Sequence, residues 1–211
     1  MQQQAVSNLL RQEVFDFLLP DMPVMAKATV KPRLVIMACS ATKVAGDGLT
    51  AMQRYDGPVW QTLRSADPER QSAVVMVLSA RFGLRDAQSL IPDYNTVLTA
   101  KSADAMIERG LCGYYPAYDM SFRTEASLLR HLAKRDALST PAGELVRALR
   151  KSPKPIEEIA IVGGKHYVRV AQALVDEMKR EGFIDASVEV TVINDQIGYM
   201  RAQLKRWIAR P

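Results

Sequence analysis

Arg33-Leu34-Val35-Ile36-Met37-Ala38-Cys39 decides the fold of this chain. The run is apolar without alternation, too short for a buried helix, and bounded by Pro32 and polar Ser40. It reads as a strand buried on both faces, as in a parallel sheet. Ala73–Leu78 repeats the pattern, Ile159–Val162 repeats it again, and Ser187–Ile193 closes the series. Between them lie helical patterns at about 59–66, 102–109, 123–136, 141–151, 166–181 and 197–209. Val170, Leu174 and Met178 mark one apolar face, and Gly182 suits the cap that follows. Strands that alternate with helices predict a three-layer α/β fold. We expect a central, mostly parallel four-stranded sheet with helices on both faces.

Upstream, Leu9, Leu10, Val14, Phe15 and Leu18 are spaced as one helical face, which Pro20 and Pro23 end. Lys151-Ser152-Pro153-Lys154-Pro155 is the clearest break. It reads as a connection, because too little chain follows it to fold alone. The expected organisation is an N-terminal helical extension over residues 1–32 and a single α/β catalytic domain over 33–211.

The chain has 211 residues, 48% of them hydrophobic and 24% charged, which suits one globular domain and excludes disorder and collagen-like structure. Two cysteines, Cys39 and Cys112, exclude a disulfide scaffold and point to a reducing, cytoplasmic setting. The longest apolar run, Ala73–Leu78, is far short of the roughly 20 residues that a membrane span needs. No signal peptide is expected, since Glu13 and Asp16 interrupt the N-terminal apolar pattern. The net charge is +5. Arg147, Arg150, Lys151 and Lys154 form one basic cluster; Arg201, Lys205, Arg206 and Arg210 form another. Each is a patch that phosphates can neutralise, or simply a solvated surface.

Open α/β sheets bind ligands beyond the carboxyl ends of their strands, so those ends are the site candidates. They carry Cys39, Ser40, Thr42 and Lys43; then Ser79, Arg81 and Phe82; then Gly163, Gly164, Lys165 and Tyr167; then Asn194 and Asp195. Ser40, Thr42 and Lys43 suit an anion or a sugar. Gly163-Gly164 lets a ligand approach the backbone at a helix N-terminus. In Pro92-Asp93-Tyr94-Asn95-Thr96, Asp93 or Asn95 is placed to hold a water and Tyr94 to stack, although these are also ordinary turn residues. Tyr114, Tyr115 and Tyr118 lie in a glycine-punctuated loop suited to wedging into nucleic acid or to packing on the core.

Several chemistries fail. Gly163-Gly164-Lys165 lacks the earlier glycine and the following Ser/Thr of a phosphate loop. No Gly-x-Ser-x-Gly elbow exists. Cys39, Cys112, His131 and His166 lack zinc-site spacing, so no metal and no cofactor is expected.

Six segments fall in an ordered series. They are Cys39-Ser40-Ala41-Thr42-Lys43, Tyr55-Asp56-Gly57-Pro58, Leu78-Ser79-Ala80-Arg81-Phe82-Gly83-Leu84, Pro92–Leu98, Gly164-Lys165-His166-Tyr167 and Ile197–Trp207. Together they resemble a poorly characterised bacterial and phage family, itself akin to the uracil-DNA glycosylase-like superfamily. Members carry Cys-Ser-x-x-Lys, Leu-Ser-Ala-x-x-Gly-Leu and a Pro-Tyr-Asp-like loop. This chain departs there, with Asp93 inserted before Tyr94 and Asn95 in the aspartate's place.

The resemblance implies a four-stranded parallel sheet and chemistry on a nucleobase. On that basis the expected protein is a monomeric DNA glycosylase. It would hydrolyse the N-glycosidic bond of a modified base in duplex DNA, such as glucosylated hydroxymethylcytosine, in phage defence. Asn95 or Asp93 would position water, with Asp47 and Asp195 next in line. Tyr94 or Phe82 would stack on the base, and Ser40, Lys43 and Lys165 would hold phosphate or the departing base. Cys39, Thr42, Ser79, Arg81, Gly163, Gly164 and Tyr167 would complete the pocket. Tyr114, Tyr115, Tyr118, Arg147, Arg150, Lys151, Arg201, Lys205 and Arg206 would contact DNA. The alternatives are an enzyme acting on a free nucleoside or nucleotide, and a non-catalytic nucleic-acid-binding protein.

Overall fold

The computed structural model describes residues 32–113, 115, 140–152 and 154–210. The N-terminal helical pattern, the pattern at 123–136, and Tyr114, Tyr118 and His131 lie outside them.

The strands are β1 (Arg33–Ala38), β2 (Val74–Ser79), β3 (Gly83–Asp86), β4 (Glu158–Val162) and β5 (Glu189–Ile193). The helices are α1 (Ala51–Arg54), α2 (Pro58–Ala66), α3 (Ala100–Arg109), α4 (Pro141–Leu149), α5 (Lys165–Arg180) and α6 (Ile197–Ile208). The sheet runs β3-β2-β1-β4-β5, with β1 at its centre. β2, β1, β4 and β5 are parallel, while β3 pairs antiparallel with β2. All four apolar runs read in the sequence are strands.

Alternation along each strand builds two cores. Leu34, Ile36, Met76 and Ile161 face α3, α4 and α5, against Met106, Leu145 and Val170. Val35, Met37, Val77 and Val162 face α1, α2 and α6, against Met52, Trp60 and Leu204. The sheet is thus covered on both faces. Helix starts follow capping chemistry: Thr99 and Ser102 close a capping box on α3, and Thr140 caps α4 with Pro141 in its first turn.

The sheet has five strands and is mixed, which corrects the expected four. Ser79–Gly83 is a tight reversal rather than a bare strand end, with Gly83 at φ +64°. The Tyr115 ring lies on Gly83, and a Cβ there would come within 2.5 Å of it. Gly83-Leu84-Arg85-Asp86 lacks an apolar pattern because its polar residues are buried against partners of their own. Glu144 on α4 is fully buried, accepts the Asp86 N–H at 2.8 Å and faces Arg85 Nε at 3.5 Å. Asp86 in turn pairs with Lys151 Nζ. α4 thereby covers a sheet edge that would otherwise expose unpaired backbone.

Candidate functional site

The chain leaves β1 through α2 on one face to reach β2, and leaves β4 through α5 on the other face to reach β5. The adjacent carboxyl ends of β1 and β4 are therefore the switch point, where sheets of this kind open a crevice. A cavity of about 250 Å³ lies there. Cys39-Ser40-Ala41 and Gly163-Gly164 form its polar side, Val59 and Trp60 one wall, and Ile197 and Met200 another.

Close packing shapes this cavity. The Trp60 indole donates to the Ala38 carbonyl at 2.9 Å, which fixes α2 against β1. A Cβ on Gly57 would overlap Ser40 Oγ, and one on Gly163 would come within 2.5 Å of the Ala38 Cβ. Asn194 Nδ2 donates to the Gly163 carbonyl at 2.8 Å and pins the turn. At Gly164, the N-cap of α5, a Cβ would meet nothing within 4 Å. The backbone is open to a ligand at that point.

Beside the cavity lies a cluster of hydroxyl groups. Tyr167 Oη is 3.2 Å from Cys39 Sγ. Ser79 Oγ donates to Tyr94 Oη at 2.8 Å, and Tyr55 Oη lies 2.8 Å from Tyr94 Oη. Burial pushes the hydroxyls of Tyr55, Tyr94 and Tyr167 well up from the ordinary tyrosine value, and the neighbouring Cys39 adds to the effect. All three stay protonated across the neutral range.

The loops around the site hang on Arg54. Its buried guanidinium donates to the carbonyls of Ile91, Val44 and Gly46, so one side chain ties the loop after β1 to the loop after β3.

The structure brings together Cys39, Ser40, Gly163 and Gly164 in the cavity wall, with Tyr167 behind them. Ser79, Phe82 and Tyr94 form a buried group alongside. Tyr94 is 7% exposed and Phe82 sits edge-on to its ring at 5.2 Å, so neither presents an open stacking face. Asp93 and Asn95 are exposed on either side of Tyr94, and Asp93 Oδ1 accepts the Tyr94 N–H. Thr42 and Asp47 are exposed in the loop after β1, and Asp195 is exposed after β5, where its Oδ1 accepts the Gln196 N–H. Among the described residues, no carboxylate lines the cavity.

Lys43, Arg81 and Lys165 all stand at the carboxyl edge of the sheet, and among the described residues none pairs with a carboxylate. Lys43 Nζ lies 4.5 Å from the centre of the Tyr94 ring.

Residues expected to touch DNA are placed unevenly. Tyr115 is 2% exposed within the core, so it cannot act as a surface wedge as it stands. Arg147 pairs with Glu144 and Lys151 with Asp86. Arg150 is exposed at the C-terminal cap of α4. Arg201 donates to Thr62 at 2.9 Å, and Lys205 and Arg206 are exposed further along α6, away from the cavity.

Trp60, Tyr55, Arg54, Ile197 and Tyr199 were not among the site residues expected from the sequence. The signal for Tyr55 and Trp60 was the Tyr-x-Gly-Pro segment, in which Gly57 caps α2 and Pro58 opens it. Ile197, 53% exposed, lines the cavity, and Tyr199 stands 62% exposed in the same first turn of α6.

Among the described residues, no group of His, Cys, Asp and Glu is placed to hold a metal ion, and no helix is long and apolar enough to cross a membrane. No protein-family model matches the chain, and no curated protein or solved structure is significantly similar to it. What the described residues define is a three-layer α/β protein with a crevice at the switch point of a mixed five-stranded sheet.

Proposed function

We propose that the crevice receives a nucleobase and that the protein hydrolyses the N-glycosidic bond of a modified base in DNA. The observation that carries this reading is the cavity between Cys39-Ser40 and Gly163-Gly164. At about 250 Å³ it lies just below the roughly 300–1,000 Å³ of pockets that take drug-sized ligands, a size for one substituted base rather than a dinucleotide.

Three features around it support the reading. Ile197, exposed in the cavity lining, stands where a wedge that holds a flipped base out of the duplex needs to be. Lys43, Arg81 and Lys165 ring the same edge of the sheet, and no carboxylate among the described residues competes with phosphates for them. The motif series resembles a family akin to uracil-DNA glycosylase-like proteins. In this reading the base enters the crevice while its sugar stays outside, and Asp93 and Asn95, exposed on the loop after β3, position the attacking water. The developing positive charge of the sugar is then stabilised from outside the cavity, since no carboxylate among the described residues lines it. Abasic sites left in invading DNA would make the protein a defence factor.

A second reading, hydrolysis or base exchange on a free nucleoside or nucleotide, is favoured by one observation: Arg147 and Lys151 are engaged by internal carboxylates. One experiment separates the two. The protein is incubated in parallel with plain duplex DNA, hypermodified phage DNA and a panel of free nucleosides, and released base is measured by mass spectrometry. Release from modified DNA alone supports the glycosylase, and release from nucleosides alone supports the second reading. Binding of DNA without release from any substrate leaves a non-catalytic binding protein.

A further inference from the structure

α2 and α6 pack side by side on one face of the sheet, and both begin at the crevice. Pro58, Val59 and Trp60 of α2 and Ile197 and Met200 of α6 line it. Arg201, the next residue along α6, donates to Thr62 of α2 at 2.9 Å, so the seam between the two helices leads out of the crevice. Neither helix contains an acidic residue. Together they carry Arg64, Arg201, Lys205 and Arg206, and the exposed α2 residues Gln61 and Ser65 are neutral. The helices on the opposite face are mixed in charge: α3 carries Asp104 and Glu108, and α5 carries Asp176 and Glu177.

The carboxylates at the margins of this face are engaged. Asp56 pairs with Arg64, and Asp67 accepts the N–H groups of Gln71 and Ser72. Asp195 accepts the Gln196 N–H and a proton from the Gln203 amide. Arg201, Lys205 and Arg206 are exposed, and among the described residues none of them pairs with a carboxylate. Cations gathered on one acid-free surface attract a polyanion. Arg201 and Lys205 stand one helical turn apart, about 6 Å. A duplex strand sets one phosphate roughly every 3.4 Å along its axis, so the pair spans about two phosphate steps.

We propose that the face formed by α2 and α6 docks the phosphate backbone of duplex DNA, with one strand running along the seam past the crevice. Arg201 holds the phosphate nearest the crevice, and Lys205 and Arg206 hold those beyond it. What enters the crevice rests on the nucleobase reading, whereas the docking of the backbone rests on this surface alone.

The test is fluorescence anisotropy of the full-length protein on unmodified duplex DNA from 50 to 200 mM salt. Wild type is compared with the double variant Lys205→Gln/Arg206→Gln and with Arg180→Gln, an exposed cation of α5 on the opposite face. The double variant should lower the salt slope by about 1.8, roughly 0.9 for each phosphate no longer neutralised. Its melting temperature should be unchanged, because both side chains are exposed. Arg180→Gln should leave the slope as it is. An unchanged slope in the double variant, a comparable fall in Arg180→Gln, or no binding of DNA by wild type overturns the proposal. Polyglutamate competing as well as DNA would assign the face to an acidic protein and overturn it too. Base release from hypermodified phage DNA is measured on the same proteins. If the slope falls as expected and no base is released, the nucleobase reading fails and the docking surface stands. If base is released and the slope does not move, the docking surface fails and the nucleobase reading stands.

Discussion

Ser79 Oγ, at the carboxyl end of β2, donates its proton to the hydroxyl of Tyr94 across 2.8 Å. Tyr94 is the buried member of a loop whose neighbours Pro92, Asp93, Asn95, Thr96 and Val97 are exposed. One side chain therefore anchors the loop that carries both candidate water-holding groups to the end of the sheet.

Removing that hydroxyl should be costly. Tyr94→Phe leaves the Ser79 proton without its acceptor and Tyr55 without its partner, both in buried surroundings. Losing a partner for a buried polar group costs about 1–3 kcal/mol. Urea denaturation should show a loss in that range, with the slope unchanged. A variant as stable as the parent would mean that the loop is held by other contacts.

The same cluster sets the behaviour of the protein in alkali. Burial raises the folded-state pKa of Tyr55, Tyr94 and Tyr167 above the unfolded value of 10.0. Above pH 10 the unfolded chain loses these protons while the folded chain keeps them, so stability falls as pH rises. The contribution is complete below pH 10. Absorbance at 295 nm should show these tyrosines ionising together with unfolding. Titration of every tyrosine before any loss of circular dichroism would contradict this.

The two glycines of the β4–α5 turn should respond in opposite ways. Gly163→Ala places a Cβ within 2.5 Å of the Ala38 Cβ, which belongs to a strand and cannot swing aside. It should destabilise by about 1–3 kcal/mol, as overpacking does. Gly164→Phe meets no atom within 4 Å at its Cβ and should leave the melting temperature nearly unchanged. Its ring would instead fill the mouth of the crevice. Calorimetry on both variants checks the pair.

The basic residues should divide into two groups. Glu144→Ala removes the carboxylate that faces buried Arg85, and breaking a buried pair typically costs about 3–5 kcal/mol. Lys151→Ala leaves buried Asp86 without its ammonium, so the loss there should also be in stability. Replacing Lys43, Arg81 or Lys165 by Ala should instead lower the salt dependence of DNA binding, by roughly 0.9 in slope for each phosphate that is no longer neutralised. Fluorescence anisotropy from 50 to 200 mM salt distinguishes these groups.

Uninterrupted apolar runs made β1, β2 and β4 legible, because a strand buried on both faces carries its own signature, whereas β5, half-exposed at the sheet edge, is read from the alternation of Val188, Val190 and Val192 with polar residues. β3 carries none: Arg85 and Asp86 look like surface residues until Glu144 and Lys151, some sixty positions away in the chain, are brought against them. The strand-end rule located Cys39, Ser40, Gly163 and Gly164, which do meet in one crevice. It did not show the inward turn of Tyr94, because a tyrosine between exposed polar neighbours has the same local sequence whether its ring faces solvent or core. The burial of Tyr115 depended on Gly83, a partner that no local pattern identifies. The basic clusters could be counted in the sequence, but their internal ion pairs could not.

Whether the crevice is the seat of the base is decided by comparing base release by wild-type protein and by Gly164→Phe from the same hypermodified phage DNA. Wild type should yield free base and matching alkali-labile sites. The variant should lose a factor of about 10² or more at unchanged stability, because only the space for the base has been filled. Asn95→Ala or Asp93→Ala should lower release by a similar factor while DNA binding persists. Equal release by Gly164→Phe and wild type, or no release of base from any DNA, would contradict a base-binding crevice.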